Sequence, residues 1–468
     1  VSQSQKIRVP NTYFLISLII AITAVLTWFI PGGSFETTTL NGREIIVQDS
    51  FRFVPANGQG IGAVLMAPIR GFIDAARIIG FVLIVGGVFA ILQKTNAITV
   101  VITRLIALQN RFKSMRFLII PFIMTIFSLG GATFGMSEEV IPFVLILIPL
   151  AIGMGYDTIT ALAMTYLAAH VGFSAAFLNP FTIGVAQGIA GLQPFSGLEY
   201  RLIVWLVMTS IAIIFVVRYA GKISRHPEHS LTFAKDKEIR QSVMDHLKEA
   251  TAPKATGRIY GVLAVFVAGM SIMVFGVLYL QWYIDEITAV FVGIGIGAGA
   301  VARLSVNDVT NAFLQGARDL VATALIIALA RGILVVAQDG NIIATMLHYT
   351  ATAVADLGPV VSAQMMFVIQ SAINFFVPSG SGQAALTMPI MAPLADLLGV
   401  SRQTAVLAFQ FGDGLSNMVI PTSAVLMSSL TLAKVSWDKW IKWIWPLMLI
   451  LFATAILLLI PPFYLSWQ

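Results

Sequence analysis

Long apolar runs separated by short polar loops dominate this chain, and at four points turn-forming residues interrupt an apolar run from within. Unbroken Leu/Ile/Val/Ala-rich stretches run from Tyr13 to Ile30, Leu202 to Tyr219, Ile259 to Tyr283 and Ile444 to Leu465. About 20 such residues let a helix cross the hydrocarbon of a bilayer. A membrane β-barrel would instead show alternating segments of about 10 residues, so the pattern predicts an all-α membrane protein. The four interruptions are "SLGGATFGMSEE" around Glu138, "FSAAFLNPFTIG" around Asn179 and Pro180, "VPSGSGQ" from Val377 to Gln383, and "GDGLSNMVIPTS" from Gly412 to Ser423.

The first and third interruptions each sit between two apolar arms, predicting helical hairpins over residues 116–156 and 359–399. Either both arms span the bilayer or the tips re-enter and stop at depth. The charges permit both readings, while the density of Pro and Gly favours re-entrant hairpins. Each hairpin is followed by a broken helix, over 157–192 and 401–433. Irregular backbone is tolerated at membrane depth only where protein or a watery cavity satisfies its N–H and C=O groups. Half-helix N-termini then favour carboxylates, and freed carbonyls favour cations. Two tips and two breaks therefore predict one shared binding surface. Its candidates are Gly130, Gly131, Thr133, Ser137, Glu138 and Glu139 in the first hairpin, and Asn179, Pro180 and Thr182 in the first break. The second hairpin offers Asn374, Ser379, Gly380, Ser381, Gly382 and Gln383, and the second break Asp413, Asn417 and Thr422.

An internal repeat organises these elements. "GFIDAARIIGFVLIVGGVFAILQKTNAI" from Gly71 aligns with "GARDLVATALIIALARGILVVAQDGNII" from Gly316, a shift of 245, matching Gly71, Asp74, Gly87, Gln93, Asn96 and Ile98 to Gly316, Asp319, Gly332, Gln338, Asn341 and Ile343. "PLAIGMGYDTITA" from Pro149 aligns with "PLADLLGVSRQTA" from Pro393 at a shift of 244. The halves, 1–220 and 259–468, meet at one polar linker, 221–258, which holds eight Lys/Arg and three of the five histidines. The segment after the first Gly71-type helix carries Lys94, Arg104, Arg111, Lys113 and Arg116, whereas its counterpart from Asp339 to Gly358 has no Lys or Arg. The positive-inside rule then predicts inverted repeats, with the N-terminus (Lys6, Arg8) and the linker cytoplasmic. Inverted repeats are a recurring plan of secondary transporters, which hold substrate near the midplane.

Composition narrows the classes. The chain has 468 residues, 58% hydrophobic and only 11% charged, with mean hydropathy +0.89; soluble chains carry about 25% charged residues. Its net charge of +6 resides in short loops, a membrane-topology pattern that gives no reason to expect a nucleic-acid partner. The first apolar run is too long for a signal peptide and reads as a retained span. Absence of Cys excludes disulfides and thiolate metal sites. His226, His229 and His246 in Lys-rich surroundings argue against a resident metal. The glycines at Gly293, Gly295, Gly297 and Gly299 lie inside a span and predict close helix packing, not a dinucleotide loop. No serine-nucleophile or phosphate-loop motif is present, so no enzymatic activity and no cofactor are expected, apart from a coupling Na+ or H+ at the tips.

The segments "GGATFGMSEEVIPF", "FLNPFTIGVAQGIAG" and "VPSGSGQAALTMPIMAPLADLLGVSRQTAVLAFQFGDGLSNMVIPTS", with the N-terminal "VPNTYFLISLII...WFIPGG" and "MAPIRGF", closely resemble the YfcC-type carriers of the anaerobic C4-dicarboxylate carrier family, in the ion transporter superfamily. The resemblance covers essentially the whole chain. It implies an elevator transporter of a bacterial cytoplasmic membrane: a homodimer whose scaffold stays fixed while a transport domain carries the hairpins. Family members are assigned dicarboxylates, basic amino acids and peptides.

Glu138, Glu139 and Asp413 lie at the breaks, and no break segment holds Lys or Arg. Each acid costs about 3 kcal/mol at a helix centre. Such a site suits an amino group, a guanidinium, sodium or protons. The expectation is therefore a secondary active carrier for a small amino-acid-like or carboxylate solute, with basic amino acid uptake or exchange ahead of C4-dicarboxylate transport. An ion channel is the reading from a different class. Arg331 reads as half of a structural ion pair, and His170 as a hydrogen-bonded packing residue.

Overall fold

A computed structural model describes residues 12–40, 43–47, 50–98, 100, 104, 116–193, 195–249, 256–280, 282–352, 357–465 and 467. Lys6, Arg8, Arg111, Lys113, Lys254 and part of the 339–358 segment lie outside the described residues, as do the side chains of Arg116, His246 and Lys248. Among the described residues the protein is helical apart from two small antiparallel ribbons, in which Gly33–Ser34 pairs with Arg52–Phe53 and Thr37–Leu40 with Arg43–Ile46. Six helices among these residues are long and apolar enough to cross a bilayer, including Ala76–Lys94, Leu198–Arg225 and Val321–Asp339. The first apolar run is helical only over Thr12–Leu26. Beyond it the chain turns, and Trp28 Nε1 donates to the carbonyl of Gln59 (3.0 Å).

The residues that match between the halves have matching structural reasons. Gly155 and Gly399, one shift of 244 apart, both end hairpins with φ near +84° and +68°, a left-handed turn that suits glycine. Asn96 and Asn341, a shift of 245 apart, both take φ near +60° (62° and 56°), which asparagine tolerates best among residues with a Cβ. Asp157 and Ser401 both cap the helices that follow: Asp157 Oδ1 accepts from the N–H of Thr160 (2.8 Å), Ser401 Oγ from that of Thr404 (3.2 Å). Each cap satisfies a backbone donor that the first turn leaves without a partner.

Packing repeats as well. Helix Ile61–Asp74 lies against Val321–Asp339, and helix Val306–Asp319 against Ala76–Lys94. A Cβ on Gly71 would collide with the carbonyl of Ala328, and one on Gly316 with that of Gly86. These four helices interlock through backbone-to-backbone contact, the use of small residues expected where lipid offers no hydrophobic drive. The hairpins obey the same rule. The first arm, Arg116–Phe134, packs on Ala168–Ser174, and the second, Pro359–Asn374, on Arg402–Asn417. Gly131 abuts the Ala169 carbonyl and Gly412 abuts Gln370. The two broken helices cross where Gly414 meets Ser174, which draws both breaks towards one place.

The polar linker is more than a tether. It carries helix Phe233–Glu249 and is pinned to the hairpin and broken-helix bundle. Thr158 donates through Oγ1 (2.5 Å) and N–H (3.2 Å) to Asp236, and Ser230 Oγ donates to Asp157 Oδ2 (2.7 Å). Lys235 Nζ donates to the carbonyls of Ala433 (2.8 Å) and Lys434 (2.9 Å), at the C-terminal end of helix Ala424–Leu432, where a cation complements the dipole.

Candidate functional site

The two hairpin tips interrupt their helices by different means. In the first, helix Arg116–Phe134 ends, Gly135 turns with φ near +74°, and a short 3-10 turn, Glu138–Val140, leads into Ile141–Gly153. In the second, helix Pro359–Asn374 ends, Pro378 prevents its continuation, and Ser379 caps helix Gly380–Leu397 by accepting from the N–H of Gly382 (3.4 Å). The broken helices stop at Ser174, resuming at Ile183, and at Asn417, resuming at Ala424. The first contains a π-helical turn, Ala163–Leu167, just before His170.

Both tips and both breaks border one cavity of about 120 Å³. The first tip contributes Ser137, Glu138 and Glu139, and the first break Thr182. The second tip contributes Ser379, Gly380 and Ser381, and the second break Asn417 and Thr422. Glu138 is partly exposed, whereas Glu139 is buried and folds back to accept from the N–H of Ser137 through Oε2 (3.0 Å). His170 also borders the cavity, with Nδ1 3.0 Å from the Tyr166 carbonyl and its ring against Tyr166 and Phe173.

Nine of the sequence-predicted residues do not border this cavity. Gly130 faces Met136, and Gly131 is spent on the contact with Ala169. Thr133 donates to the carbonyl of Leu129 (2.6 Å), one turn back in its own helix. Asn179 is fully buried beneath Gly135, its Oδ1 accepting from the N–H groups of Phe181 (2.9 Å) and Thr182 (3.3 Å); Pro180 marks the same turn. Asn374 Nδ2 donates to the Asp413 carbonyl (3.0 Å) and Ser416 Oγ (2.8 Å), tying the second hairpin to the second broken helix. Gln383 Nε2 donates to the carbonyl and Oε1 of Gln370 (2.9 and 2.7 Å), bridging the hairpin arms. Gly382 faces an adjoining outer space instead. The physical cause is common to these: broken backbone needs partners, and these polar groups supply them.

Asp413 is the ninth, and its position is unusual. It is fully buried one layer behind Gly380. Asp413 Oδ1 accepts from Asn417 Nδ2 (3.1 Å), while Oδ2 has no hydrogen-bond partner among the described residues. On the same face of Gly380 lies Thr182, whose Oγ1 is also buried and unpartnered, as is Oγ1 of Thr422 in the second break. Buried polar atoms without partners are costly.

The opposite wall comes from outside the breaks. Ala75, Ile78, Tyr283, Ile327, Arg331 and Leu334 complete the cavity. Except for Arg331, nothing in their sequence distinguishes them from packing residues. Arg331 is paired through Nε with Asp74, as a structural ion pair should be, and it also faces the cavity. The site therefore has a guanidinium that the break segments themselves lack.

The sequence matches the family described as "C4-dicarboxylate anaerobic carrier" over residues 9–464. It is 36% identical to the Escherichia coli (strain K12) protein named "Putative basic amino acid antiporter YfcC", over 94% of this chain and 93% of that one. An uncharacterized protein of Haemophilus influenzae is 28% identical over 94% of each. Two solved structures align along nearly the full length at low similarity. The Alcanivorax borkumensis YdaH transporter has 16% identity and a TM-score of 0.46, covering 98% of this chain and 99% of that one. Neisseria gonorrhoeae MtrF, whose structure is described as illuminating a class of antimetabolite efflux pumps, has 17% identity and a TM-score of 0.43, covering 97% and 95%.

Proposed function

Because the chain belongs to the C4-dicarboxylate anaerobic carrier family, we propose that this membrane transporter is a secondary active carrier that takes up or exchanges basic amino acids. The supporting observation is the pair Glu138 and Glu139, set by the first tip into a cavity bordered by both tips and both breaks. An ammonium or guanidinium group compensates carboxylates that would otherwise be costly at membrane depth. The name of the E. coli relative agrees with this choice. The runner-up, C4-dicarboxylate transport, is favoured by the family description and by Arg331.

In this reading the repeats are inverted and the motion is that of an elevator. The hairpins and broken helices, joined at Gly131, Gly412 and Gly414, move as one body against the interlocked helices 61–94 and 306–339. The cavity lies at the boundary between the two bodies, where a relative shift would expose it alternately to each side. Two copies assemble through the fixed body, with the N-terminus and linker on the cytoplasmic side of a bacterial inner membrane. Asp413 Oδ2 and Thr182 Oγ1 hold the coupling Na+ or H+. Being behind Gly380, that ion stiffens the second tip before solute binds.

Counterflow in proteoliposomes with labelled arginine, ornithine and succinate tests the substrate. Saturable arginine–ornithine exchange is expected; succinate uptake that ignores both amino acids would overturn the preference. Replacing Na+ by choline, with and without a pH gradient, identifies the ion, and Asp413→Asn should abolish its effect.

A further inference from the structure

We propose that Arg331 is the residue that recognises a carboxylate of the transported solute, and that Asp74 positions it for the task. The proposal rests on the carrier reading of the cavity and adds to it the second half of the ligand's chemistry.

Arg331 is the single Lys or Arg among the described residues bordering the inner cavity. It also borders the outer space of about 420 Å³ that reaches the ribbon residues Gly33, Phe35 and Thr37. It thus stands at the threshold between the two. Its Nε is taken by Asp74, and its two terminal nitrogens have no partner among the described residues. A guanidinium pinned along one edge cannot swing away, yet keeps planar donors for a second carboxylate. Ser379, which caps helix Gly380–Leu397, borders the same two spaces, so the amide end of that helix lines the cavity together with Arg331. Glu138 and Glu139 border the cavity from the other tip. The cavity therefore offers guanidinium and helix-start donors at Arg331 and the second tip, and carboxylate acceptors at the first. The complementary ligand is a carboxylate that also bears a cationic group, such as an α-amino acid, rather than a simple amine or a dianion.

The test uses thermal shifts of the purified full-length protein with L-arginine, agmatine (arginine lacking its carboxylate) and succinate, for wild type, Arg331→Gln, Arg331→Lys and Asp74→Asn. Wild type should bind arginine roughly tenfold or more tightly than agmatine, the worth of one charge-assisted contact. Arg331→Gln should weaken arginine to the agmatine level and leave agmatine unchanged. Arg331→Lys should recover only part of the preference, since an ammonium lacks the planar fork, and Asp74→Asn should reduce it. Should Arg331→Gln not fold, Arg331→Lys decides: an arginine preference equal to wild type overturns the proposal. Equal binding of arginine and agmatine by wild type also overturns it, as does an undiminished preference in Arg331→Gln or a wild type shifted by neither carboxylate. If succinate alone binds wild type and Arg331→Gln loses it, the basic amino acid reading fails while the role of Arg331 stands.

Discussion

The two hairpin tips share a packing frame and differ in chemistry. Each has its first arm laid on a broken helix through a glycine contact, Gly131 with Ala169 and Gly412 with Gln370. Yet the first tip turns through left-handed Gly135 and presents two acids, whereas the second turns through Pro378 and presents a Ser-capped helix start with no charge. Backbone approach is set by small residues on the helix faces, and those recur in both halves. Side chains at the tips do not contribute to that approach, so they are free to diverge. In the proposed carrier, a site built from like frames and unlike tips would have two different ends, giving a solute held between them a direction.

The largest test of this contrast is charge removal. Glu138→Gln should lower exchange by about 30-fold or more, the scale of removing one partner of a charge pair, whereas Ser381→Ala in the other tip should cost about fivefold, the scale of one neutral hydrogen bond. Proteoliposome counterflow measures both; equal losses would break the contrast. The shared frame predicts a different outcome. Gly131→Ala and Gly412→Ala should each destabilise by about 1–3 kcal/mol through overpacking, seen as similar falls in apparent Tm. A fall at only one of them would mean that the frame is not shared.

The matched caps sharpen the comparison further. Ser401→Ala should cost about 0.5–2 kcal/mol in thermal stability, the usual worth of an N-cap. Asp157→Ala should cost more, because Asp157 Oδ2 also accepts from Tyr219 (2.5 Å) and Ser230 (2.7 Å) and so holds the linker. The smallest effect concerns the linker itself. Burial, reinforced by Lys434, lowers the Lys235 ammonium to about 8. Between that value and the ordinary Lys range near 10.5, the undocked lysine keeps its proton while the docked one loses it. Docking therefore tightens as pH rises through about 8. A spin label at exposed Lys237 should become less mobile from pH 7 to 10, and Lys235→Met should flatten the response. Burial acts oppositely on Asp236, raising its carboxyl above the ordinary range. Its contribution is present at low pH and is lost as pH rises through that raised value.

Legibility followed the kind of constraint involved. Turns, helix starts and close approaches were visible because each demands a particular residue type: Gly155 and Gly399, Asp157 and Ser401, Gly71 and Gly316. The tips' convergence was legible for a similar reason, since interrupted backbone at membrane depth must line something. The division of labour within the breaks was not. Asn374 and Gln383 read as site residues but brace the second hairpin, because the same amide chemistry serves ligand and backbone alike. Nor did the linker's composition reveal that Asp236 and Lys235 clasp the bundle, contacts made between residues far apart in the chain.

Sequence by itself determined that this chain is an all-α membrane protein, where its helices break and which acids sit at the breaks, because periodicity, turn chemistry and the cost of charge in lipid act locally. Tertiary structure alone decided that Asp413 lies behind the cavity and not on it, and that Arg331, from outside the breaks, borders the same cavity as Glu138. Both placements depend on which helix faces meet, and that is fixed by packing between segments hundreds of residues apart.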